Sequence, residues 1–283
     1  MRNHKRIGVD IGGTTIKGAL FEGEEIKKEE TAPTNGRAGR EAILSALYSV
    51  LDGLCEPGVP IGISSAGNID PKTGQCVYAT DNLSGWTGVP LAATVSGRYG
   101  VLCKVDNDAV CALKGELKYW PELKNVTMLT FGTGVGGASL VNGEILRGKN
   151  FDAARWGHVT LVPGGRACTC GRKGCVEAYL SANALYLRGR RKLPGLESCR
   201  QLFEYYVAHD PEAEKLVRRF AGELDLLINN VRQVLSPELI LLGGGLMQSW
   251  ELIRPLLASD EGLSVARLGA RAGIYGAASL VEN

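Results

Sequence analysis

The chain has 283 residues and a formal net charge of +2, with 45% hydrophobic and 22% charged residues. These values are ordinary for a globular protein of about two domains, and they exclude a low-complexity or disordered chain. So small a net charge gives no electrostatic reason to expect nucleic acid or an anionic membrane as a partner. The sequence has no apolar run near the roughly 18 residues of a membrane helix, and no signal-peptide pattern at its start. We therefore expect a cytoplasmic protein that binds neither nucleic acid nor membrane.

The first part of the chain alternates strand and helix patterns. Apolar runs predict strands over residues 6–10, 15–21, 60–63 and 101–105, and the charged stretch 24–31 is compatible with an edge strand. Apolar residues at helical spacing predict a helix over 39–54. A second helix is predicted over 108–119, where Pro121 ends it.

The strand pattern restarts after a boundary near residues 117–123. Strands are predicted over 125–131, 138–141 and 144–146, and the last two are joined by a hairpin turn at Asn142-Gly143. A long helix over 213–235, a strand over 238–242 and a final helix over 272–281 follow. Alternating strands and helices favour the α/β class. We expect one α/β domain over 1–118, a second over 119–271, and the C-terminal helix, 272–283, packed back on the first.

Three glycine-rich turns follow predicted strands. Glycine makes up 38 of 283 residues, about 13% against an average near 7%. The turns are Asp10-Ile-Gly12-Gly13-Thr14-Thr15-Ile-Lys17, Phe131-Gly132-Thr133-Gly134-Val-Gly136-Gly137, and Gly243-Gly244-Gly245. Glycines let the backbone approach an anion, and Asp10 is suited to Mg²⁺. The alternatives are polar hairpins for the first two and a strand cap for the third. The second turn is not a dinucleotide fingerprint, because a predicted strand and not a helix follows it. A P-loop is excluded because the spacing GxxxxGK(S/T) does not occur.

Four potential metal ligands lie close together in the sequence. They are His158 and, ten residues later, the group Cys168, Cys170 and Cys175. Three thiolates and one imidazole make a closed tetrahedral Zn²⁺ set, and the short cysteine spacing suits a structural metal. Gly171 and Gly174 supply the turns of such a knuckle. The alternative is a cluster of small buried residues.

Asp108 stands where a predicted strand meets a predicted helix. A carboxylate there can accept a proton from a hydroxyl nucleophile, whereas Asp and Asn are also favoured as helix N-caps. Asp106 is a weaker candidate for such a base, or else a surface carboxylate. The sequence alone leaves these alternatives open.

The order of the three glycine turns resembles that of the sugar kinase–Hsp70–actin superfamily. Gly157-His158, followed by Cys168-Thr-Cys170-Gly171-Arg-Lys-Gly174-Cys175-Val-Glu177, is similar to the signature of the ROK family (repressors, open reading frames, kinases). The resemblance covers essentially the whole chain. It implies two actin-like, ribonuclease H-like α/β domains around an interdomain cleft. Because the first glycine turn begins at residue 10, we expect the kinase branch and not a repressor with an N-terminal helix-turn-helix.

The resemblance implies an ATP-dependent hexose kinase, with glucose, converted to glucose 6-phosphate, as the first expected substrate. It makes Asp108 the catalytic base, and it implies MgATP held by the first two glycine turns and near Gly243–Gly245. His158 would face zinc with one ring nitrogen and the sugar with the other, and a homodimer is expected. The alternatives are N-acetylmannosamine, fructose, allose or a β-glucoside as substrate, or a non-catalytic sugar sensor. The implied sugar contacts are Gly67, Thr80, Asn107, His158 and Glu177.

One residue departs from the family pattern. ROK sugar kinases usually have a sugar-contacting Glu three residues before the histidine of Gly-His, where this chain has Arg155. A carboxylate that accepts hydrogen bonds is thus replaced by a guanidinium that only donates them. Either the substrate differs from plain glucose, or Arg155 points away from it, or activity is reduced.

Overall fold

The computed structural model describes residues 5–282, which form two compact units. The first unit comprises the residues up to Pro121, the segment Arg147–Ala153 and the residues from Arg271 onward, and the second comprises Glu122–Leu146 and Ala154–Ala270. Both units contain sheets and helices, so the α/β class is confirmed. Across the described residues, none of the helices combines the length and apolar character needed to cross a bilayer.

The first unit is built on a five-stranded sheet of order β3-β2-β1-β4-β7. Strands β1, β2 and β3 are antiparallel, whereas β1, β4 and β7 run parallel. The strands β5 and β6 form a separate hairpin. The elements in chain order are β1 (Lys5–Ile11), β2 (Thr15–Glu22), β3 (Glu25–Pro33), α1 (Arg40–Leu54), β4 (Ile61–Ser65), β5 (Asn68–Asp70), β6 (Gln75–Tyr78), α2 (Leu91–Tyr99), β7 (Cys103–Asn107) and α3 (Asp108–Leu117).

The second unit repeats this plan with a sheet of order β10-β9-β8-β11-β12. An antiparallel hairpin again comes first, and parallel strands complete the sheet. The remaining elements in chain order are β8 (Val126–Phe131), β9 (Val135–Val141), β10 (Glu144–Ile145), α4 (Glu177–Leu180), α5 (Ala182–Arg190), α6 (Cys199–Val207), α7 (Pro211–Leu235), β11 (Leu239–Gly243), α8 (Trp250–Ile253), β12 (Leu263–Val265) and α9 (Ala272–Ser279).

Local signals in the sequence account for the long helix α7. The side chain of Asp210 caps its first turn by accepting hydrogen bonds from the backbone N–H groups of Glu212 and Ala213, both at 2.9 Å. Pro211 occupies the first position, where its missing N–H costs nothing. The apolar face of α7, which includes Phe220 and Leu224, is buried in the core of the second unit.

The last helix, α9, packs within the first unit at very short range. A Cβ on Gly62 of β4 would lie 1.8 Å from the Ala277 carbonyl oxygen. A Cβ on Gly276 would lie 1.6 Å from the Cys111 carbonyl oxygen. Side chains at these two glycines would push α9 away from the sheet and from α3, so glycine is required there.

The strand predicted over 101–105 lies two residues later, at Cys103–Asn107. Leu102 is 52% exposed and lies outside the strand. The strand extends to a polar end, where Asp106 is paired with Ser64 of β4 and Asn107 with Ser65. The hairpin β5–β6, the helices α2 and α4–α6, and β12 were not among the predicted elements. Several of these are only three or four residues long. Such elements span too little of a period to be detected.

Candidate active site

The parallel strands of the first unit bring three polar residues to one edge of the sheet. Asp10 of β1 is aligned with Ser64 of β4, and Ser64 is aligned with Asp106 of β7. In α/β sheets, ligands bind at the carboxyl ends of the parallel strands. This edge is therefore where the chemistry of the first unit is expected.

Asp10 and the glycine turn after it form a well-anchored loop. One oxygen of Asp10 accepts a hydrogen bond from the Ser64 hydroxyl at 2.5 Å. Burial raises the pKa of Asp10, while the hydrogen bond from Ser64 and the positive charge of Lys17 oppose that rise. A carboxylate so placed is suited to hold Mg²⁺, directly or through water.

The loop tip is held by Thr34, a residue that the sequence analysis did not single out. Its hydroxyl donates to the Gly12 carbonyl oxygen at 2.7 Å, and its backbone N–H donates to the Thr14 carbonyl oxygen at 2.9 Å. The Gly12 N–H donates to the Thr15 carbonyl oxygen at 3.1 Å. Gly13 and Thr14 are exposed at the tip. The predicted phosphate-binding residues of this turn thus lie together on a fixed hairpin.

Asn107 and Asp108 form the junction between β7 and α3. Asn107 is the N-cap, and its side-chain oxygen accepts hydrogen bonds from the N–H groups of Ala109 (3.0 Å) and Val110 (3.2 Å). The carboxylate oxygen Oδ1 of Asp108 accepts from the Ala109 N–H and from the Asn107 amide, both at 2.8 Å. Among the described residues no hydrogen bond reaches Oδ2 of Asp108, so that oxygen can receive a proton.

The surroundings of Asp108 favour its neutral form. Its carboxyl is open to solvent, yet protein atoms crowd it closely enough that the charged form is poorly hydrated. This desolvation, with the nearby negative charge of Asp10, raises the pKa of Asp108 to about 6 despite three hydrogen bonds that lower it. A base with a pKa just below neutrality is largely ionised at pH 7 and still able to hold a proton.

Two of the expected sugar contacts lie on neighbouring loops of the first unit. Gly67 has φ +108°, and its carbonyl oxygen accepts a hydrogen bond from the Asn107 amide at 2.8 Å. Thr80 is half-buried before a short 3₁₀ turn, and its carbonyl oxygen accepts from the Leu83 N–H. The structure thus joins Gly67 directly to Asn107, and it gives Thr80 a backbone role.

In the second unit, Glu177 connects the middle glycine turn to the cysteine-rich knuckle. Its Oε2 accepts a hydrogen bond from the Val135 N–H at 3.0 Å, and its Oε1 accepts from the Thr169 hydroxyl at 2.9 Å. A Cβ on Gly134 would lie 2.4 Å from Oε2, so a side chain there would displace the Glu177 carboxylate. The N–H of Ala182 also donates to the Gly132 carbonyl oxygen at 2.8 Å. Gly132 and Thr133 lie in the turn between β8 and β9, whereas Gly136 and Gly137 lie in β9, paired with Thr130 and Leu129 of β8.

The third glycine turn follows β11 in the same unit. Gly244 has φ +88°, and a Cβ there would lie 2.4 Å from the carbonyl oxygen of Phe131, at the end of β8. Gly243 ends the strand, and Gly245 begins a 3₁₀ helix. Glycine is therefore needed at position 244 for backbone packing at the ends of β8 and β11.

The four predicted metal ligands converge in the second unit. One ligand atom each from His158, Cys168, Cys170 and Cys175 lies within 4.8 Å of the others. The sulfurs of Cys170 and Cys175 are 3.6 Å apart, and that of Cys168 is 3.7 Å from Nδ1 of His158. Zinc–sulfur bonds of about 2.3 Å in a tetrahedron place sulfurs about 3.8 Å apart. The donor set and its spacing thus fit zinc.

His158 presents Nδ1 to this cluster, which leaves its second ring nitrogen, Nε2, on the other side of the ring. Burial lowers the pKa of His158, and the positive charges of Arg155 and Arg172 lower it further. The neutral imidazole that results is the form that binds metals. Arg155 is half-buried directly before the 3₁₀ helix Trp156–His158, and its carbonyl oxygen accepts from the His158 N–H.

This two-unit α/β architecture is that of the actin-like sugar kinases. The chain belongs to the ROK family, whose model matches residues 6–283. The resemblance found in the sequence is thereby confirmed.

Similar proteins include kinases for two different sugars. A glucokinase from Halalkalibacterium halodurans is 32% identical over 98% of this chain and 94% of its own length. An N-acetylmannosamine kinase from Salmonella arizonae is 30% identical over 98% of both chains. Among solved structures, a ROK family glucokinase from Streptomyces griseus in complex with glucose and AMPPNP has a TM-score of 0.81 and 28% identity, covering 98% of both chains.

Proposed function

We propose that this protein is an ATP-dependent hexose kinase that converts glucose to glucose 6-phosphate. The observation that carries the proposal is the carboxylate of Asp108, which is fixed through Oδ1, has no hydrogen bond to Oδ2 from residues 5–282, and is raised in pKa to about 6. It lies in a chain of the ROK family, whose full-length relatives include glucokinases. A sensor that only binds sugar would have no use for such a base.

In the proposed reaction, Asp108 accepts the proton of a sugar hydroxyl, the one on C6 in glucose, as that oxygen attacks the γ-phosphorus of ATP. The bond from the γ-phosphorus to the β,γ-bridging oxygen breaks, and ADP leaves with that oxygen. Phosphoryl transfer depends chiefly on positioning and on stabilising the charge of the phosphoryl oxygens. The N–H and hydroxyl groups of the Gly12–Thr15 turn are suited to bind phosphate oxygens, and Asp10 would hold Mg²⁺, which offsets their charge. We assign the same phosphate-binding role to the Gly132–Gly137 turn, and we place adenosine near Gly243–Gly245.

Zinc in the Cys168–Cys175 knuckle would have a structural role, because four protein ligands leave no open position for substrate. Its effect on the site would pass through His158, whose Nε2 is assigned to the sugar, and through Glu177. Gly67, Thr80 and Asn107 are the proposed sugar contacts of the first unit.

N-acetylmannosamine is the second substrate to test, because a relative of similar identity is a kinase for that sugar. Arg155 is the residue that motivates this test. A guanidinium donates to hydroxyl, carbonyl and anionic oxygens, and it cannot accept a proton from any of them. Fructose, allose and β-glucosides remain the other candidates.

The test is ADP release from MgATP with glucose, mannose, fructose, allose, N-acetylglucosamine, N-acetylmannosamine and cellobiose. Turnover with one sugar that Asp108→Asn abolishes would support the proposal and identify the substrate. No turnover with any sugar, while ATP and a sugar still bind, would favour the non-catalytic sensor.

A homodimer in the cytoplasm completes the proposal. All eight cysteines lie in the described residues and none of them forms a disulfide, as expected in a reducing compartment. Sedimentation velocity at several concentrations tests the dimer, which a purely monomeric protein would contradict.

A further inference from the structure

Asp106 is a fully buried carboxylate directly beside the proposed catalytic residues. The sequence analysis offered it as a possible surface residue, which is wrong, because its exposure is 0%. Within the described part of the chain it accepts four hydrogen bonds. Two come from the guanidinium of Arg147, at 2.8 Å to Oδ1 and 2.7 Å to Oδ2. The Asn107 N–H donates at 2.9 Å and the Lys114 ammonium at 3.3 Å. The two-pronged geometry with Arg147 is the strongest form of a carboxylate–guanidinium pair.

Arg147 begins a short segment with an unusual place in the fold. Residues Arg147–Ala153, called here the 147–153 segment, belong to the first unit, whereas the chain on both sides of them belongs to the second. The Ala153 N–H donates to the Arg147 carbonyl oxygen at 3.0 Å, which closes the segment into a loop. Phe151 has φ +56°, a backbone conformation that bulky residues rarely adopt. Such a conformation persists only where its surroundings hold it in place.

The 147–153 segment contacts the same loops as the proposed sugar residues. The carbonyl oxygen of Asn150 accepts a hydrogen bond from the amide of Asn68 at 3.4 Å. Asn68 directly follows Gly67, whose own carbonyl oxygen is bonded to Asn107. Asn107 in turn bonds Asp106 through its backbone and Asp108 through its side chain. One connected set of hydrogen bonds therefore runs from Arg147 to Asp108.

We propose that Asp106 and Arg147 are positioning residues for sugar phosphorylation, because their ion pair fixes the 147–153 segment and the Asn107–Asp108 turn relative to each other. The inference rests on the proposed function, and it adds two residues that touch neither ATP nor the reacting hydroxyl. Their effect passes through Asn107 and through the loop that carries Gly67.

Because this ion pair is buried, its variants are expected to lose activity to different degrees. Arg147→Gln removes both strong donors and leaves the buried Asp106 charge with Lys114 as its one remaining cationic partner among the described residues, which is the costly case. Asp106→Asn with Arg147→Gln removes both charges and leaves two amides able to bond each other. Arg147→Lys keeps the charge and loses the two-pronged geometry. The expected order of activity is wild type, Arg147→Lys, the double variant and then Arg147→Gln.

The test measures kcat and both KM values for these variants with the sugar that the wild type uses. Arg147→Gln is expected to lower kcat/KM for the sugar by about 10- to 100-fold, with a raised sugar KM and an ATP KM within about threefold. The double variant should recover part of this loss. Arg98→Gln, which breaks an exposed arginine–aspartate pair of the same unit, is the matched control and should match the wild type.

A purely structural role would lower kcat with the folded fraction and leave both KM values unchanged, and that result would overturn the inference. So would a double variant that is no more active than Arg147→Gln alone.

Hydrogen exchange provides a readout that does not depend on turnover. Exchange should rise in peptides covering both the 147–153 segment and residues 104–110 in Arg147→Gln, and fall back in the double variant. A rise in the 147–153 segment alone would show that the pair does not hold the catalytic turn, and would overturn the inference. If the wild type phosphorylates no sugar, the proposed function fails, while exchange still decides whether the pair fixes these two segments.

Discussion

Lowering the pH is expected to switch off phosphoryl transfer by protonating Asp108. With a pKa of about 6, a carboxyl is about nine-tenths ionised at pH 7 and about one-tenth ionised at pH 5. Only the ionised form can accept the sugar proton. The kcat/KM for the sugar should therefore fall about tenfold between these two pH values, with a midpoint near the pKa of Asp108.

The assay is initial-rate ADP release from pH 4.5 to 8 at saturating MgATP, with the sugar varied. Two variants separate Asp108 from other titrating groups. Asp108→Asn should lose about 10²- to 10⁴-fold in turnover, and its residual rate should lack the midpoint near pH 6. Asp10→Asn will be slow, since it changes a proposed Mg²⁺ ligand, but its midpoint should move to lower pH. This follows because the Asp10 charge is the second cause of the raised pKa.

The matched control is Asp52→Asn, which removes an exposed carboxylate on α1 and should leave the midpoint unchanged. Full activity at pH 5, with a midpoint near 4, would refute the argument, because Asp108 would then be an ordinary exposed carboxyl. The base assignment would also fail if Asp108→Asn kept wild-type turnover.

Three further predictions concern stability and metal. The folded-state pKa of Asp108 lies above its ordinary value of 3.8, so its ionisation destabilises the fold as pH rises from about 3.8 to 6. In urea unfolding, Asp108→Asn should therefore be more stable at pH 7, by about 1 kcal/mol and not the roughly 3 kcal/mol of a fully desolvated group, because solvent reaches the carboxyl. The gain should vanish near pH 3.5. Cys170→Ser should reduce bound zinc well below one per chain by elemental analysis and lower the Tm, whereas Cys55→Ser, outside the cluster, should keep the metal. Gly62→Ala should cost about 3 kcal/mol or more, since its Cβ would meet the Ala277 carbonyl oxygen, whereas Gly97→Ala, in the open interior of α2, should be neutral or stabilising.

The sequence could predict those parts of the site that consist of neighbouring residues. The turn after β1, the junction at Asn107-Asp108 and the Cys168–Cys175 loop are each carried by fewer than ten residues of chain. In each case the chemistry lies in residue types at short spacing, which a sequence displays directly. The strand–turn–strand pattern with which both units begin could be predicted from the sequence in the same way.

Partners that are distant in sequence could not be predicted. Ser64 bonds Asp10 from 54 residues away, and Thr34 reaches Gly12 from 22 residues away. Arg147 reaches Asp106 across 41 residues and from a segment surrounded in sequence by the other unit. The sequence does not distinguish a buried aspartate from an exposed one, because only the fold shows which hydrogen-bond donors surround the carboxylate. The sequence therefore wrongly suggests a surface position for Asp106, although it identifies Asp108, two residues later, as a candidate base.

The turn at Asn107 and Asp108 also shows that the structural and functional interpretations of a residue need not compete. Asn107 is the helix N-cap that its residue type suggests, and this role fixes Asp108 as the first residue of α3. At a helix N-terminus, the macrodipole and the free N–H groups favour a charged carboxylate and lower its pKa. Desolvation and the charge of Asp10 act in the opposite direction and are stronger, since the pKa rises. The cap therefore sets the position of the Asp108 carboxylate, whereas desolvation and the charge of Asp10 set its basicity. Asp10→Asn should therefore lower the pKa of Asp108 without moving its carboxylate.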